Sequence, residues 1–472
     1  MHFWFLAIAP FIVPVFAWLP GEHKQLFSRD GVNLFSRKSS YEAGLLSKRF
    51  LPDKYGNDKT KIRGVNLGSL FVLEDWLADN IMSGWGCDNL SEFNCVQSLN
   101  DQAKANSDFQ GHWGSWVSAS DFTTMVSYGL NTVRIPVGYW MDEALVASDE
   151  YFPQGGEAYL DQAVGYAKDA GMYVIIDLHG APGAQATNQN TGQYKADPAF
   201  YDSYNYDRTY EFFAWLVTKI HGNSAYSTVG MIELVSEPER LFDTQYGSEK
   251  ANDNSLQSIF YPTAVARIRE VEAELGISDA QQVHIQMMGT NWGSGDPTAN
   301  ITDLTNIAYD NHLYVEYTYG VPQTKAGYLN FTCSGSSSSY GPAIVGEWSL
   351  AVNAALEDTD EWDPSINVDW YRTWWAAQVM AYEKELGWVF WTWKTTGSLN
   401  DPRWDYQKAV AAGMVSTDID DAYRLGACGG VANGIWHGKA ASTSGGENSA
   451  RLMLRMWFLP VITTALLLLD GR

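Results

Sequence analysis

Short apolar runs recur along the middle of the chain. They are too continuous for half-exposed strands and too short for helices. They cover Ile62 to Asn66, Thr132 to Ile135, Tyr173 to Asp177, Met231 to Val235, Val283 to Met287, Ala308 to His312, Ala343 to Gly346 and Trp388 to Trp391. Runs of this kind predict parallel strands covered on both faces. Stretches 159–170, 210–221, 262–275 and 370–386 lie between them and read as helices. Eight β/α units predict an α/β fold, a (β/α)₈ TIM barrel with long loops, as a single domain over 50–430. A doubly wound open sheet is the competitor, and the absence of a glycine-rich phosphate loop after the first run counts against it. A barrel places its chemistry at the C-terminal ends of the strands.

Both ends of the chain depart from this pattern. Phe3 to Ala17 is apolar but shorter than the ~20 residues of a membrane span, and Val15-Phe16-Ala17 offers a cleavage site, so 1–17 is expected to be a signal peptide. Residues 18–49 end in Lys48-Arg49 and read either as a propeptide or as a linker. At the other end, the small residues Ser442 to Gly446 are followed by a polar spacer and an apolar tail, Trp457 to Leu469. This layout predicts a flexible tail over 431–450 and a hydrophobic anchor signal over 451–472 that is exchanged for a glycolipid. A retained anchor helix is the alternative, with Arg455 costly inside lipid. The expected location is therefore extracellular, at the cell surface or wall.

Composition narrows the partners. The 55 Asp and Glu against 31 Lys and Arg give a net charge of −24, which argues against nucleic acid. Four cysteines suit an oxidising compartment. They allow three pairings; Cys87 with Cys95 and Cys333 with Cys428 is the expectation. Asn89, Asn300 and Asn330 are glycosylation sequons. No His-Glu-x-x-His or clustered Cys/His spacing occurs, so neither a metal nor another cofactor is expected. The aromatic count is high, with 20 Trp, 26 Tyr and 20 Phe. Trp140, Trp292, Trp348, Trp391 and Trp393 fall at strand ends or just beyond, where a sugar-stacking mouth would put them; rim packing is the alternative.

The strand ends also carry polar residues that a buried strand does not otherwise need. Arg134, Asp177-Leu178-His179, Ser236-Glu237-Pro238, His312-Leu313-Tyr314, Glu347-Trp348 and Trp391 all fall there. Glu237 and Glu347 would face each other across the mouth. Paired carboxylates suit glycosidic cleavage, one protonating the leaving oxygen and the other attacking the anomeric carbon or activating water. Asp177 reads as an orienting group.

The segments 63–68 (RGVNLG), 131–140 (NTVRIPVGYW) and 177–183 (DLHGAPG), with Ser236-Glu237-Pro238 and Gly346-Glu347-Trp348, resemble the fungal wall β-glucanases of glycoside hydrolase family 5. The segment Cys87 to Cys95 most resembles the endo-β-1,6-glucanase branch; the exo-β-1,3-glucanases come next. The resemblance implies Glu237 as acid/base and Glu347 as nucleophile, with Arg134 and Tyr314 bonded to the nucleophile and Arg134 favouring its charged form. It implies that His179 and His312 hold hydroxyls or carboxylates, that Glu74 binds a sugar hydroxyl and that Trp391 lies under the sugar. Ser236 departs from the family's Asn, which bonds the sugar 2-hydroxyl. Two readings follow: a working retaining hydrolase of β-glucan, endo-β-1,6 or else exo-β-1,3, acting as a monomer; or a glucan-binding pseudoenzyme or wall-structural protein.

Overall fold

A computed structural model describes residues 61–239, 255–289, 295–335, 342–432 and 435–436. The expected signal peptide, propeptide and anchor signal lie outside them, as does Trp292. Eight parallel strands close into one barrel in sequence order. They are β1 (Ile62–Asn66), β2 (Thr132–Gly138), β3 (Tyr173–Gly180), β4 (Val229–Glu233), β5 (His284–Met288), β6 (Ile307–His312), β7 (Ala343–Glu347) and β8 (Gly387–Phe390). Every residue of all eight is buried. Strands covered on both faces read as largely apolar runs, and each polar residue within them needs a partner. β8 pairs with β1 from Ile62 opposite Gly387 to Val65 opposite Phe390, which closes the ring.

Four helices stand between β1 and β2: α1 (Asp79–Trp85), α2 (Glu92–Leu99), α3 (Gln102–Trp116) and α4 (Ala119–Ser127). The expected helices follow as α5 (Gly156–Ala170), α6 (Ser203–Gly222), α7 (Tyr261–Glu274) and, after β7, α9 (Val368–Tyr382), with α8 (Lys325–Ser334) between β6 and β7. The expectation of a helix after every strand fails at one place. Among the described residues none joins β5 to β6. After β8 come α10 (Tyr406–Ala411) and α11 (Asp421–Leu425). The stretch expected to be a flexible tail opens instead with a short antiparallel pair, β9 (Val431–Ala432) and β10 (Ile435–Trp436).

The barrel interior has two layers. Ile62, Tyr173, Ile175, Met231, Ala308, Ile344, Leu386 and Val389 form a separate apolar cluster. Two residues further along the same strands the side chains turn polar: Asp177 follows Ile175, Glu233 follows Met231 and Asp310 follows Ala308. Strand alternation keeps these on the same inner face. Gly346 makes room for one of them. A Cβ there would lie 2.2 Å from Asp310 Oδ2, and its N–H donates to Asp310 Oδ1 at 2.7 Å. The β6–β7 pairing then skips Gly346, setting His312 opposite Glu347. An irregularity of this kind re-aims side chains beside a site.

Two disulfides form, Cys87–Cys95 within the β1–β2 connection and Cys333–Cys428 between α8 and the segment after α11. Both match the expected pairing. The second closes a separation of 95 residues. Replacing Cys333 and Cys428 together by Ala should cost about 4 kcal/mol through the freed unfolded chain, read as a lower midpoint in urea; an unchanged midpoint would refute this.

Candidate active site

The polar layer is built around Arg134, which is fully buried on β2. Its Nε donates to Glu233 Oε2 at 2.8 Å, and its Nη1 to Glu347 Oε1 and to Asn66 Oδ1, both at 2.9 Å. Its Nη2 lies 3.0 Å from Asp177 Oδ2 and donates to Ser236 Oγ at 3.3 Å. One guanidinium thereby joins β1, β2, β3, β4 and β7. Burial alone disfavours its charge, but the surrounding carboxylates hold its pKa well above the ordinary arginine value.

Glu347, at the end of β7, also accepts from Tyr314 Oη at 2.8 Å. Burial pushes its pKa up, while His312 and Arg134 pull it down and Glu237 adds to the rise. Arg134 therefore acts in the expected direction, but burial outweighs it. The Tyr314 hydroxyl is pushed well above its usual range by burial and by the nearby glutamates, so it remains a neutral donor. His312 Nδ1 lies 2.6 Å from Glu237 Oε1 and 3.3 Å from Glu347 Oε2. Burial opposes its charge, yet Glu347 and Asp310 raise the imidazole pKa well above its ordinary value.

Glu237 lies in the loop after β4, not on the strand. Its φ is +43°, a left-handed conformation that a residue other than glycine keeps only where its surroundings impose it. The surroundings do so. Ser236 N donates to Leu178 O and Glu239 N to Gln185 O, each at 3.0 Å. Gln185 Nε2 donates to Ser236 O at 3.0 Å and to His179 O at 2.7 Å. An oxygen of Glu237 consequently lies within 4.8 Å of one of Glu347.

The remaining expected residues gather at the same mouth. His179 Nδ1 lies 2.8 Å from Asp177 Oδ2, as expected of an orienting Asp, and the His179 ring stacks on Trp391 with centroids 5.5 Å apart at 15°. Burial lowers the His179 pKa, but Asp177, Glu347 and Glu74 together raise it and the net shift is upward. Glu74 accepts from Trp76 Nε1 at 2.7 Å. Burial raises its pKa to about 8, and its Oε1 has no hydrogen-bond partner among the described residues.

The tryptophans are where the sequence reading needs correction. Trp140, Trp348, Trp391 and Trp393 are all almost wholly buried and belong to the core cluster. Trp140 stacks on Phe152 at 4.5 Å and fills a slot bounded by Gly138, Gly180 and Gly192, where an added Cβ would come within 2.1, 2.6 and 2.1 Å of its ring. Core packing therefore accounts for Trp140, Trp348 and Trp393, neither an open sugar platform nor the rim. The open rings are elsewhere, at Trp76, Tyr317 and Tyr319. Sequence reasoning also missed Glu92, fully buried at the start of α2. Its Oε1 accepts from Leu73 N at 2.5 Å, and burial raises its pKa to about 8. The signal was an Asp/Glu at a helix start, which is usually exposed.

Two groups have metal-ligand spacing: Glu233, Asp310 and His312; and Glu237, His312 and Glu347. Both share His312.

Residues 99–397 match the family model described as cellulase (glycosyl hydrolase family 5). The chain belongs to glycoside hydrolase family 5. This family 5 chain is 47% identical over 428 residues to a protein of Emericella nidulans named glucan endo-1,6-beta-glucosidase B, covering 89% of the chain and 100% of that relative. It is 31% identical to a protein of Wickerhamomyces anomalus named glucan 1,3-beta-glucosidase 2, over 79% of the chain and 91% of the relative. In fold it resembles the crystal structure of rutinosidase from Aspergillus niger, with a TM-score of 0.57 and 18% identity, over 75% of the chain and 98% of that structure.

Folded Glu92 keeps its proton up to about pH 8, whereas its ordinary value is 4.5. A raised carboxyl favours folding fully below the unfolded value and loses that contribution as pH rises through the folded one. Thermal stability should therefore fall between pH 4.5 and 8. Glu92→Gln, whose amide oxygen still accepts from Leu73, should flatten the fall and be the more stable protein at pH 8. A melting curve with the parent's pH slope would refute this.

Proposed function

We propose that the protein is a retaining β-glucan hydrolase that cuts β-1,6-linked glucan of the fungal wall internally. The observation that carries the reaction type is the carboxylate pair. Oxygens of Glu237 and Glu347 approach within 4.8 Å, which suits the ~5–5.5 Å of double displacement and leaves no room for the water that inversion needs at ~6.5–9.5 Å. The linkage rests on the relatives, since the one named for endo-1,6 cleavage is 47% identical and the one named for 1,3 cleavage only 31%.

The roles follow from the contacts. Glu347 is the nucleophile, with one oxygen held by Arg134 and the other by Tyr314. Its attack on the anomeric carbon forms a glycosyl ester as the bond to the leaving oxygen breaks and Glu237 gives that oxygen its proton. His312 fixes the Glu237 carboxyl. Once Glu347 is esterified its charge is gone, and Glu237, now a carboxylate, takes a proton from the water that attacks the same carbon. Two inversions give net retention. Glu74 and His179 meet sugar hydroxyls, Trp391 lies beneath the ring, and Ser236, buried and bonded to Arg134, stands where the family's Asn meets the 2-hydroxyl. The reaction needs no cofactor, and extracellular action fits the two disulfides.

Glu237→Gln should lower kcat on β-1,6-glucan about 10²–10⁴-fold and Glu347→Gln at least as much. Proton NMR of the first products should show the β-anomer, and an initial α-anomer would refute retention. Ser236→Asn should raise turnover on the same substrate; an unchanged rate would mean that Ser236 already fills the role. Parent turnover as low as that of Glu347→Gln, with glucan still bound, would favour the binding-protein reading.

A further inference from the structure

The three glycosylation sequons fare differently in the fold. A sequon is read through both the Asn amide and the hydroxyl two residues on, and it works on a surface loop. Asn330 lies within α8, and its amide oxygen is buried with no hydrogen-bond partner among the described residues. The hydroxyl of this sequon, on Thr332, is buried as well. It donates to Tyr328 O at 2.9 Å and accepts from Trp374 Nε1 at 3.1 Å. The next residue, Cys333, is bridged to Cys428. Asn89 is half-buried inside the loop that Cys87–Cys95 closes. Ser91, which completes its sequon, is fully buried and caps α2. Its hydroxyl accepts from Asn94 N at 3.3 Å and Tyr194 N at 3.2 Å, and donates to Asn94 Oδ1 at 2.6 Å.

Asn300 is placed otherwise. Asn300 and Thr302 are both exposed, in a stretch that is neither helix nor strand. The backbone around them is held, with Ile301 N donating to Thr298 O at 2.9 Å and Gln257 Nε2 to Asp296 O at 2.7 Å. Asn300 Nδ2 donates to Gln257 O at 3.1 Å. A glycosylated amide keeps one N–H, so this bond can survive the modification. The stretch belongs to the connection from β5 to β6, the one without a helix among the described residues. Leu304, two residues beyond Thr302, is 51% exposed there, and Ile259, two residues beyond Gln257, is 53% exposed.

We propose that Asn300, and neither Asn89 nor Asn330, carries an N-linked oligosaccharide, which stands on the flank of the barrel between β5 and β6. In the transfer, Nδ2 bonds to the anomeric carbon of the first sugar of a lipid-linked pyrophosphate donor. The bond from that carbon to the phosphate oxygen breaks, the lipid pyrophosphate leaves, and the amide nitrogen gives up one proton. A bulky, hydrated sugar shields apolar side chains that no helix covers. This modification rests on the extracellular reading, because the donor is met on the secretory route.

The test is expression of the full chain in a yeast secretory host. N-linked sugar is then removed by an amidase that leaves a carboxyl where the sugar was attached, and peptides are read by mass spectrometry. Most secreted chains should show Asn300 converted, with Asn89 and Asn330 intact. Asn300→Gln should lose the whole gel shift that sugar release produces in the parent. Thr302→Ala, which keeps the amide, should lose it too. An unconverted Asn300 in chains with both disulfides formed would overturn the proposal, as would conversion of Asn89 or Asn330 in most chains. Chains kept inside the cell with free thiols would overturn it together with the extracellular reading, so the two failures are distinct.

Discussion

Arg134 is the interaction on which the rest of the site depends. Its guanidinium lies 2.8 to 3.0 Å from carboxylates of Glu233, Glu347 and Asp177, with Asp310 at 3.9 Å. Burying one cation among four carboxyls is tolerable only if some of that acidity stays protonated. Burial pushes the Glu233 pKa upward, against the pull of Arg134. The remaining charge is shared with His312 and with polar backbone, including the Gly346 N–H on Asp310. The same group that holds Glu347 therefore also ties five strands together at the barrel's upper end. Its loss would disturb the fold and the reaction at once.

Catalytic placement then follows from two departures from regular backbone. β7 carries Ile344 and Gly346 toward the interior, and the skipped pairing opposite His312 turns Glu347 toward the mouth. Glu237 reaches it from the opposite side through a left-handed residue pinned by Gln185. Neither carboxylate would face the other from an ideal strand. The loop hydrogen bonds and the irregular register are the structural conditions for a separation short enough for double displacement.

Much of this was legible in the sequence, for a definite physical reason. Parallel strands buried on both faces leave an apolar trace that no loop imitates, and β1 was readable to the residue. Polar residues at their ends stand out against that trace, which is why Arg134, Glu237, His312 and Glu347 could be named before their contacts were known. The helices α1 to α4 were missed; α1, α2 and α4 run only 7, 8 and 9 residues, too short for a helical period to stand out from the surrounding loops. The tryptophans misled for a related reason. What buries Trp140 is a set of three glycines on separate segments, and nothing local marks those glycines as a slot for an indole ring.

The Cys87–Cys95 bridge has a consequence for how the protein has to be made. It fastens the start of α2, where Glu92 grips the Leu73 N–H, and Leu73 immediately precedes Glu74. The posture of Glu74 is thus set by a pair of oxidised thiols two links away. Protein accumulated in a reducing cytosol would carry an intact carboxylate pair beside a loosened wall. Its low activity would be mistaken for a property of the enzyme rather than of the host.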